Sequence, residues 1–166
     1  MAEAIAYLSL GGNLGQPRAT IAEALRRLEA GSARVIARSG DYSTPPWGKL
    51  DQPAFVNAAA AIATPLPAHD LLRLCLDVEL SLGRRRVEKW GPRTIDIDLL
   101  AYGSETVASP ELTLPHPFLL ERAFVLVPLI EIAPDLVVSG IPILDALARL
   151  DTSGIERLKL NENPLA

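Results

Sequence analysis

Cysteine and histidine are almost missing from this chain: it has one Cys, Cys75, and two His, His69 and His116. That excludes an internal disulfide framework and a Cys-rich zinc site, and it leaves little for a His-based metal centre. Aromatic residues are only 5%, so a core has to be built from Leu, Ile, Val and Ala. A basic surplus is also lacking. Lys plus Arg is 16 against 20 Asp plus Glu, for a net charge of −4 and a pI near 5.2. This argues against a general binder of nucleic acid or of anionic membranes. The longest uncharged run, Gln52 to Ala68, carries Pro53, Pro65, Pro67 and the polar Asn57, and is too short and too broken to span a bilayer. Met1-Ala2-Glu3 places no basic residue before the first apolar run, which argues against a secretory signal. The cytoplasm is the expected location.

What is present suits one domain. The chain has 166 residues, 49% of them hydrophobic and 22% charged, so it can bury a core. A single domain over 1–166 is expected, with a frayed tail over about 160–166. Residues 4–10 read as a strand that enters a tight turn at Gly11-Gly12-Asn13. Pro17 opens a helix whose Ile21, Leu25 and Leu28 share one face, and Gly31 stops it. Residues 33–43 read as a second strand and 44–53, with three prolines and a glycine, as a loop. Residues 54–64 read as a strand, since Phe55, Val56 and Ile62 favour a pleated surface between bracketing prolines. Residues 68–82 carry the stripe Leu71, Leu72, Cys75, Val78 and Leu82 of a helix ended by Gly83. Residues 84–93 are a basic loop and 94–102 an alternating strand. Residues 108–118 read as loop, 124–127 as a strand, 128–133 as a short helix opened by Pro128, and 142–150 as a last amphipathic helix. The order β-α-β-β-α-β, without strict alternation, predicts an α+β fold with an antiparallel sheet covered by helices.

Asp96 and Asp98 are the sharpest chemical feature. Two residues apart on a strand, they share a face about 7 Å apart, while Ile95, Ile97 and Leu99 take the other face and anchor the strand. Like charges that close destabilise one another unless a cation sits between them. Hard oxygen ligands on a rigid strand suit Mg²⁺, which keeps several waters and takes one or two carboxylates plus substrate phosphates. The competing reading of the pair by itself is a surface couple satisfied by arginines. The loop just before it, RRRVEKWGPR over 84–93, sets five cations against one acid, a local charge of +4. Guanidinium forks on Arg84, Arg86 and Arg93 suit phosphate oxygens. A Mg²⁺–polyphosphate ligand satisfies both groups at once, and Trp90 offers a flat face for a heterocycle.

The run Trp90-Gly91-Pro92-Arg93-Thr94-Ile95-Asp96-Ile97-Asp98 resembles the signature of the 6-hydroxymethyl-7,8-dihydropterin pyrophosphokinase family. Further segments resemble it in order: Leu10 to Gly15, Tyr42 to Pro46 with Asp51-Gln52-Pro53 and Phe55-Val56-Asn57, Leu114-Pro115-His116-Pro117 with Arg122-Ala123-Phe124, and Glu131 to Pro134. The resemblance runs from about Tyr7 to Leu136. It implies a ferredoxin-like antiparallel sheet flanked by helices, a three-layer α/β/α sandwich. It implies diphosphate transfer from ATP, as co-substrate, to the pterin hydroxymethyl oxygen, with attack on the β-phosphorus and release of AMP, in folate biosynthesis. By position, Asp96 and Asp98 would hold two Mg²⁺ ions, and one of them could help accept the hydroxyl proton. Arg84, Arg86, Arg93, His116 and Arg122, with Trp90, would face the nucleotide. Phe124, with Phe55 or Trp90, would enclose the pterin. Asn57 would hydrogen-bond its amide-like edge, and Thr44 and Pro45 would line its pocket. Catalysis would rest on the same arginines and aspartates, in a monomer with no nucleic-acid or membrane partner. The chain departs from the family pattern at Trp47, Glu111 and Pro117.

Other residues read more plainly. His69 reads as an exposed helix residue and Cys75 as inert packing. Glu79 reads either as a support for loop arginines or as a solvated acid. Two other classes fit the bare pattern: a nucleotidyl- or glycosyltransferase with an Asp-x-Asp motif, and a non-enzymatic ferredoxin-like metabolite sensor.

Overall fold

A computed structural model describes residues 2–46, 51–83 and 94–160. Basic-loop residues 84–93, including Arg84, Arg86, Trp90 and Arg93, lie outside the described residues, as do Trp47 and the tail from 161.

Strand β1 (Ala4–Gly12) leads into helix α1 (Pro17–Ala30), which starts on a proline and ends at Gly31, as the pattern predicts. The expected strand over 33–43 is two strands, β2 (Arg34–Arg38) and β3 (Tyr42–Thr44). The break has a polar cause. Gly40 donates its N–H to Glu131 rather than to the sheet, and the Ser39 hydroxyl takes the Ala59 N–H in place of a backbone carbonyl. Strand β4 (Phe55–Thr64) is buried along almost its whole length. A strand covered on both faces loses polar alternation, which is why FVNAAAAIAT reads as a nearly continuous apolar run. Helix α2 (Ala68–Ser81) follows, then β5 (Asp96–Tyr102). All pairings are antiparallel, and the order β2-β4-β1-β5 places the first strand centrally between the third and last of the β-α-β-β-α-β unit. This is the ferredoxin-like order that the sequence suggests.

The Pro-punctuated segment 108–118 contains a small hairpin, β6 (Val107–Ala108) with β7 (Thr113–Leu114). A short 3-10 turn (Leu119–Glu121) leads into α3 (Ala123–Ile132). Here the sequence expectation of a strand before Pro128 is wrong. The helix starts five residues earlier and contains the proline. Pro128 deletes one i→i−4 bond, but Val125, Leu126 and Leu129 are buried against Ala59 and Leu100, and that packing outweighs local preference. A two-residue turn at Ser139-Gly140, both with positive φ, joins β8 (Val137–Val138) to β9 (Ile141–Pro142). Helix α4 (Ile143–Leu147) is shorter than the expected 142–150, and β10 (Glu156–Arg157) pairs with β3.

Two apolar clusters flank the sheet. One joins Ala6, Leu8, Leu10, Ala58, Ala60, Ile62, Ile97 and Leu99 to Ile21, Leu25 and Leu28 of α1 and Leu71, Cys75 and Val78 of α2. The other joins Ala59 and Leu100 to α3 and α4. The alternation of Ala58, Ala60 and Ile62 with Ala59 along β4 assigns each helix pair its side.

Candidate functional site

The second cluster covers only part of its sheet face. Beyond Ala59 and Leu100 the strands continue with polar and small residues, and their register sets the layout. Gly11 on the central strand lies opposite Asn57 on one side and Asp96 on the other. One row along, Ser9 lies between Ala59 and Asp98. Residues directly paired share a face, so Asn57, Gly11 and Asp96 form a row about 10 Å across at Cα, two strand spacings. The two aspartates lie side by side on this face, half-buried, while Ile95, Ile97 and Leu99 are buried on the other. The predicted split of β5 into a carboxylate face and an anchoring face is what is found.

The centre of the row is Gly11, which is buried and has no side chain. A Cβ there would lie 2.1 Å from the Asn57 Oδ1. The Asn57 amide therefore lies across the glycine, and its Nδ2 donates to Thr44 Oγ1 at 2.7 Å. This corrects the expected turn at Gly11-Gly12: both glycines continue the strand, and Gly11 serves close approach rather than chain reversal. Asn13 is buried just beyond. Its Nδ2 donates to Gln52 Oε1 and to the Pro53 carbonyl, both at 2.9 Å, tying the strand end to the loop before β4.

Strand β5 closes one end of the sheet, so the N–H of Ile97, between the two aspartates, points away from β1. Glu79 of α2, itself buried, accepts it at 2.6 Å through Oε2. The solvated-acid reading of Glu79 is thus wrong; it holds the strand that displays Asp96 and Asp98.

His116 reaches β5 by donating its backbone N–H to the Leu100 carbonyl at 2.9 Å. Its Nδ1 accepts the Phe118 N–H at 3.1 Å, so the neutral ring carries its proton on Nε2. Burial pushes the His116 pKa below its ordinary value, the Arg122 charge pushes the same way, and Asp96 opposes them. A neutral Nε2–H donor within the fields of Asp96 and Arg122 results. The Arg122 guanidinium packs over the Phe118 ring at 4.8 Å and the Phe124 ring at 5.6 Å, stacked contacts that restrain it at the start of α3. Phe124 sits in the first turn of that helix, and Phe55, opposite Thr44 on β4, shares the face with Asn57.

Thus Thr44, Phe55, Asn57, Asp96 and Asp98 share one sheet face, with His116, Arg122 and Phe124 on the segment that borders it. His69 is exposed on α2, with Nε2 3.0 Å from Ser109 Oγ and 3.9 Å from Glu111. Cys75 is core, as expected. Sequence reading missed two elements: the Gly11 cradle, whose only signal is a glycine inside a strand pattern, and a cluster around Glu131. There Oε1 accepts the Tyr42 hydroxyl at 2.6 Å and Arg157 Nε at 3.2 Å, and Oε2 accepts the Gly40 N–H at 3.0 Å. Among the described residues no group of three or more His, Cys, Asp or Glu could hold a metal ion. The carboxylate pair nevertheless has the donor chemistry of a Mg²⁺ site completed by water and phosphate. No described helix is long and apolar enough to cross a membrane.

The chain is similar to known proteins along most of its length. A pyrophosphokinase of Methylorubrum extorquens, named 2-amino-4-hydroxy-6-hydroxymethyldihydropteridine pyrophosphokinase, is 57% identical over 155 residues, covering 93% of this chain and 98% of its own. The protein of that name from Pseudomonas aeruginosa is 44% identical over 154 residues, covering 92% and 95%. Among solved structures, an HPPK-DHPS in complex with substrates superposes with a TM-score of 0.71 at 14% identity, over 89% of this chain and 43% of that one. The Plasmodium falciparum HPPK-DHPS triple mutant superposes at 0.69 and 16%, over 88% and 44%. The chain spans under half the length of those solved chains, and at such identities they attest the fold. The family model described as 7,8-dihydro-6-hydroxymethylpterin-pyrophosphokinase (HPPK) matches residues 7–134, and the chain belongs to that family.

Proposed function

We propose that this chain transfers diphosphate from ATP to the hydroxymethyl oxygen of 6-hydroxymethyl-7,8-dihydropterin, releasing AMP, at the sheet face that carries Asn57, Asp96 and Asp98. The observation that carries the reading is the row Asn57–Gly11–Asp96, with Asp98 beside it. It sets an amide suited to a heterocycle about two strand spacings from a carboxylate pair suited to a metal–polyphosphate, so acceptor and donor lie side by side.

Thr44 and Asn57 bind the pterin edge, and Phe124 and Phe55 enclose its ring. His116 donates from Nε2 to a phosphate oxygen, and Arg122, restrained by its two phenylalanines, presents positive charge beside it. Asp96 and Asp98 would hold the two Mg²⁺ ions; bound there, Mg²⁺ neutralises phosphate charge and so lowers the barrier to attack. In this reading one of the two aspartates also helps accept the hydroxyl proton. Arg84, Arg86, Arg93 and Trp90, which lie outside the described residues, complete the nucleotide side in this reading. The protein's work is positioning and charge neutralisation, since this transfer asks for little covalent chemistry. The chain acts as one domain, a monomer in the cytoplasm. The two apolar clusters on opposite sheet faces support a three-layer α/β/α arrangement.

Incubation with Mg-ATP and 6-hydroxymethyl-7,8-dihydropterin should yield AMP. A nucleotidyl- or glycosyltransferase would release pyrophosphate or a nucleoside diphosphate instead, and a sensor would turn over nothing. Asp96→Ala and Asp98→Ala should each lose at least about 10³-fold in rate, about 4 kcal/mol of transition-state stabilisation. Activity within tenfold of wild type in both variants refutes the carboxylate role.

A further inference from the structure

Strand β3 has three residues and would be a weak edge. Its inner side pairs with β4 through Tyr42–Asn57, Ser43–Val56 and Thr44–Phe55, and it ends at Thr44, the residue that receives the Asn57 amide. A short strand with one partner frays readily. Here the segment Gly154–Lys159 supports it from outside, more than a hundred residues away in sequence. Glu156 and Arg157 pair with Ser43 and Tyr42. Leu158 donates its N–H to the Asp41 carbonyl at 2.8 Å and buries its side chain in the cluster beneath α1. Arg18 ties both chains to α1, donating Nε to the Asp41 carboxylate at 2.9 Å and Nη1 to the Lys159 carbonyl at 2.7 Å. On the other face, Arg157 lies so close over Gly40 that a Cβ there would be 2.7 Å from its Nη2, and it pairs with Glu131 of α3. Gly154 approaches Pro45 so closely that a Cβ would lie 2.9 Å from the proline Cγ.

We propose that Gly154–Lys159 is a positioning strap for the pterin subsite, with Arg157 as its positioning residue. Arg157 joins the strap to the Glu131 carboxylate that the Tyr42 hydroxyl and Gly40 N–H also grip, and by backing β3 there holds Thr44 and Pro45 in register with Asn57. Among the described residues its contacts are with Glu131, Gly40 and Tyr42, so it acts on the heterocycle side. The kinetic part of this proposal rests on the pterin-binding reading above; the structural part does not.

The test uses the full chain with Arg157→Ala and the conservative Arg157→Lys. Arg157 is exposed and fills no core, so both variants should fold. Hydrogen exchange at Tyr42–Thr44 should quicken about three- to tenfold in Arg157→Ala, while β1 and β5 stay as in wild type. The KM for 6-hydroxymethyl-7,8-dihydropterin should rise about three- to tenfold with kcat and the KM for ATP within twofold, and Arg157→Lys should lie between. Unchanged exchange at Tyr42–Thr44 overturns the strap. So does an equal rise of both KM values, which would mark general loosening. Wild-type chain that forms no AMP, with the exchange result intact, would instead sink the functional reading and leave the strap as architecture.

Discussion

Gly11 shows how much a missing side chain can specify. Its backbone is ordinary extended strand, so alanine is conformationally tolerable there, yet the Asn57 oxygen occupies the space a Cβ would need. Gly11→Ala must therefore push the amide out of its bond with Thr44. The expected result is a folded protein whose pterin affinity falls about 10- to 100-fold, about 1–3 kcal/mol for a misplaced polar group. Calorimetric titration with pterin checks this, and unchanged affinity would mean the amide does not face the ligand. Cys75 makes the opposite case of a residue with a reactive name and an inert setting. Burial, with the nearby carboxylates of Glu79 and Asp98, pushes its thiol up to about 12. Iodoacetamide should leave it unmodified in the native state and label it only as the chain unfolds. Rapid native labelling at neutral pH would contradict the packing.

Strand β5 displays Asp96 and Asp98, and what braces it lies on another element. Glu79 is a charged residue on a helix stripe, where periodicity alone would place it at the solvent edge. It is buried because, among the described residues, β5 ends the sheet and the outward Ile97 N–H takes its acceptor from Glu79. Glu79→Ala leaves that donor without the carboxylate and should lower stability by about 1–3 kcal/mol, read as a lower urea midpoint with an unchanged slope. A midpoint equal to wild type would show that water replaces the carboxylate freely. Helix α3 teaches a related lesson. Its Phe-Val-Leu-Val run and Pro128 speak locally for a strand followed by a helix start. The chain is helical throughout because one side of the sheet, at Ala59 and Leu100, has to be covered there.

For the molecule as a whole, His116 and Glu131 are among the groups that couple stability to pH, each in its own window. His116 is depressed below its ordinary 6.5 chiefly by burial, so the unfolded chain takes up a proton first. Stability is fully present above about 6.5 and declines as pH falls toward the lowered folded value. For Glu131, burial pushes the pKa upward, but donors from Arg157, Tyr42 and Gly40 together outweigh it and hold the group below its ordinary 4.5. Its stabilisation is present above 4.5 and is lost as pH falls through the depressed value. Thermal unfolding midpoints should fall in two stages, the first absent in His116→Gln and the second reduced in Glu131→Gln. A His116→Gln profile that matches wild type between pH 7 and 5 would remove the first assignment.

Much of this architecture is written locally. The Pro17 start and Gly31 stop of α1, the stripe of α2, and the alternation that turns Asp96 and Asp98 to one face all follow from short-range sterics and periodicity, which act within a few residues. Such alternation is legible because a strand repeats every two residues wherever it lies. What periodicity could not settle is which distant segment fills each open valence. The Asn57 amide over Gly11, the Glu79 carboxylate on Ile97, the helical state of α3 and the grip of Arg157 on Glu131 and Gly40 arise only when strands far apart in the chain are set side by side. Their energies depend on burial and on hydrogen-bond partners, and neither exists until the sheet has formed.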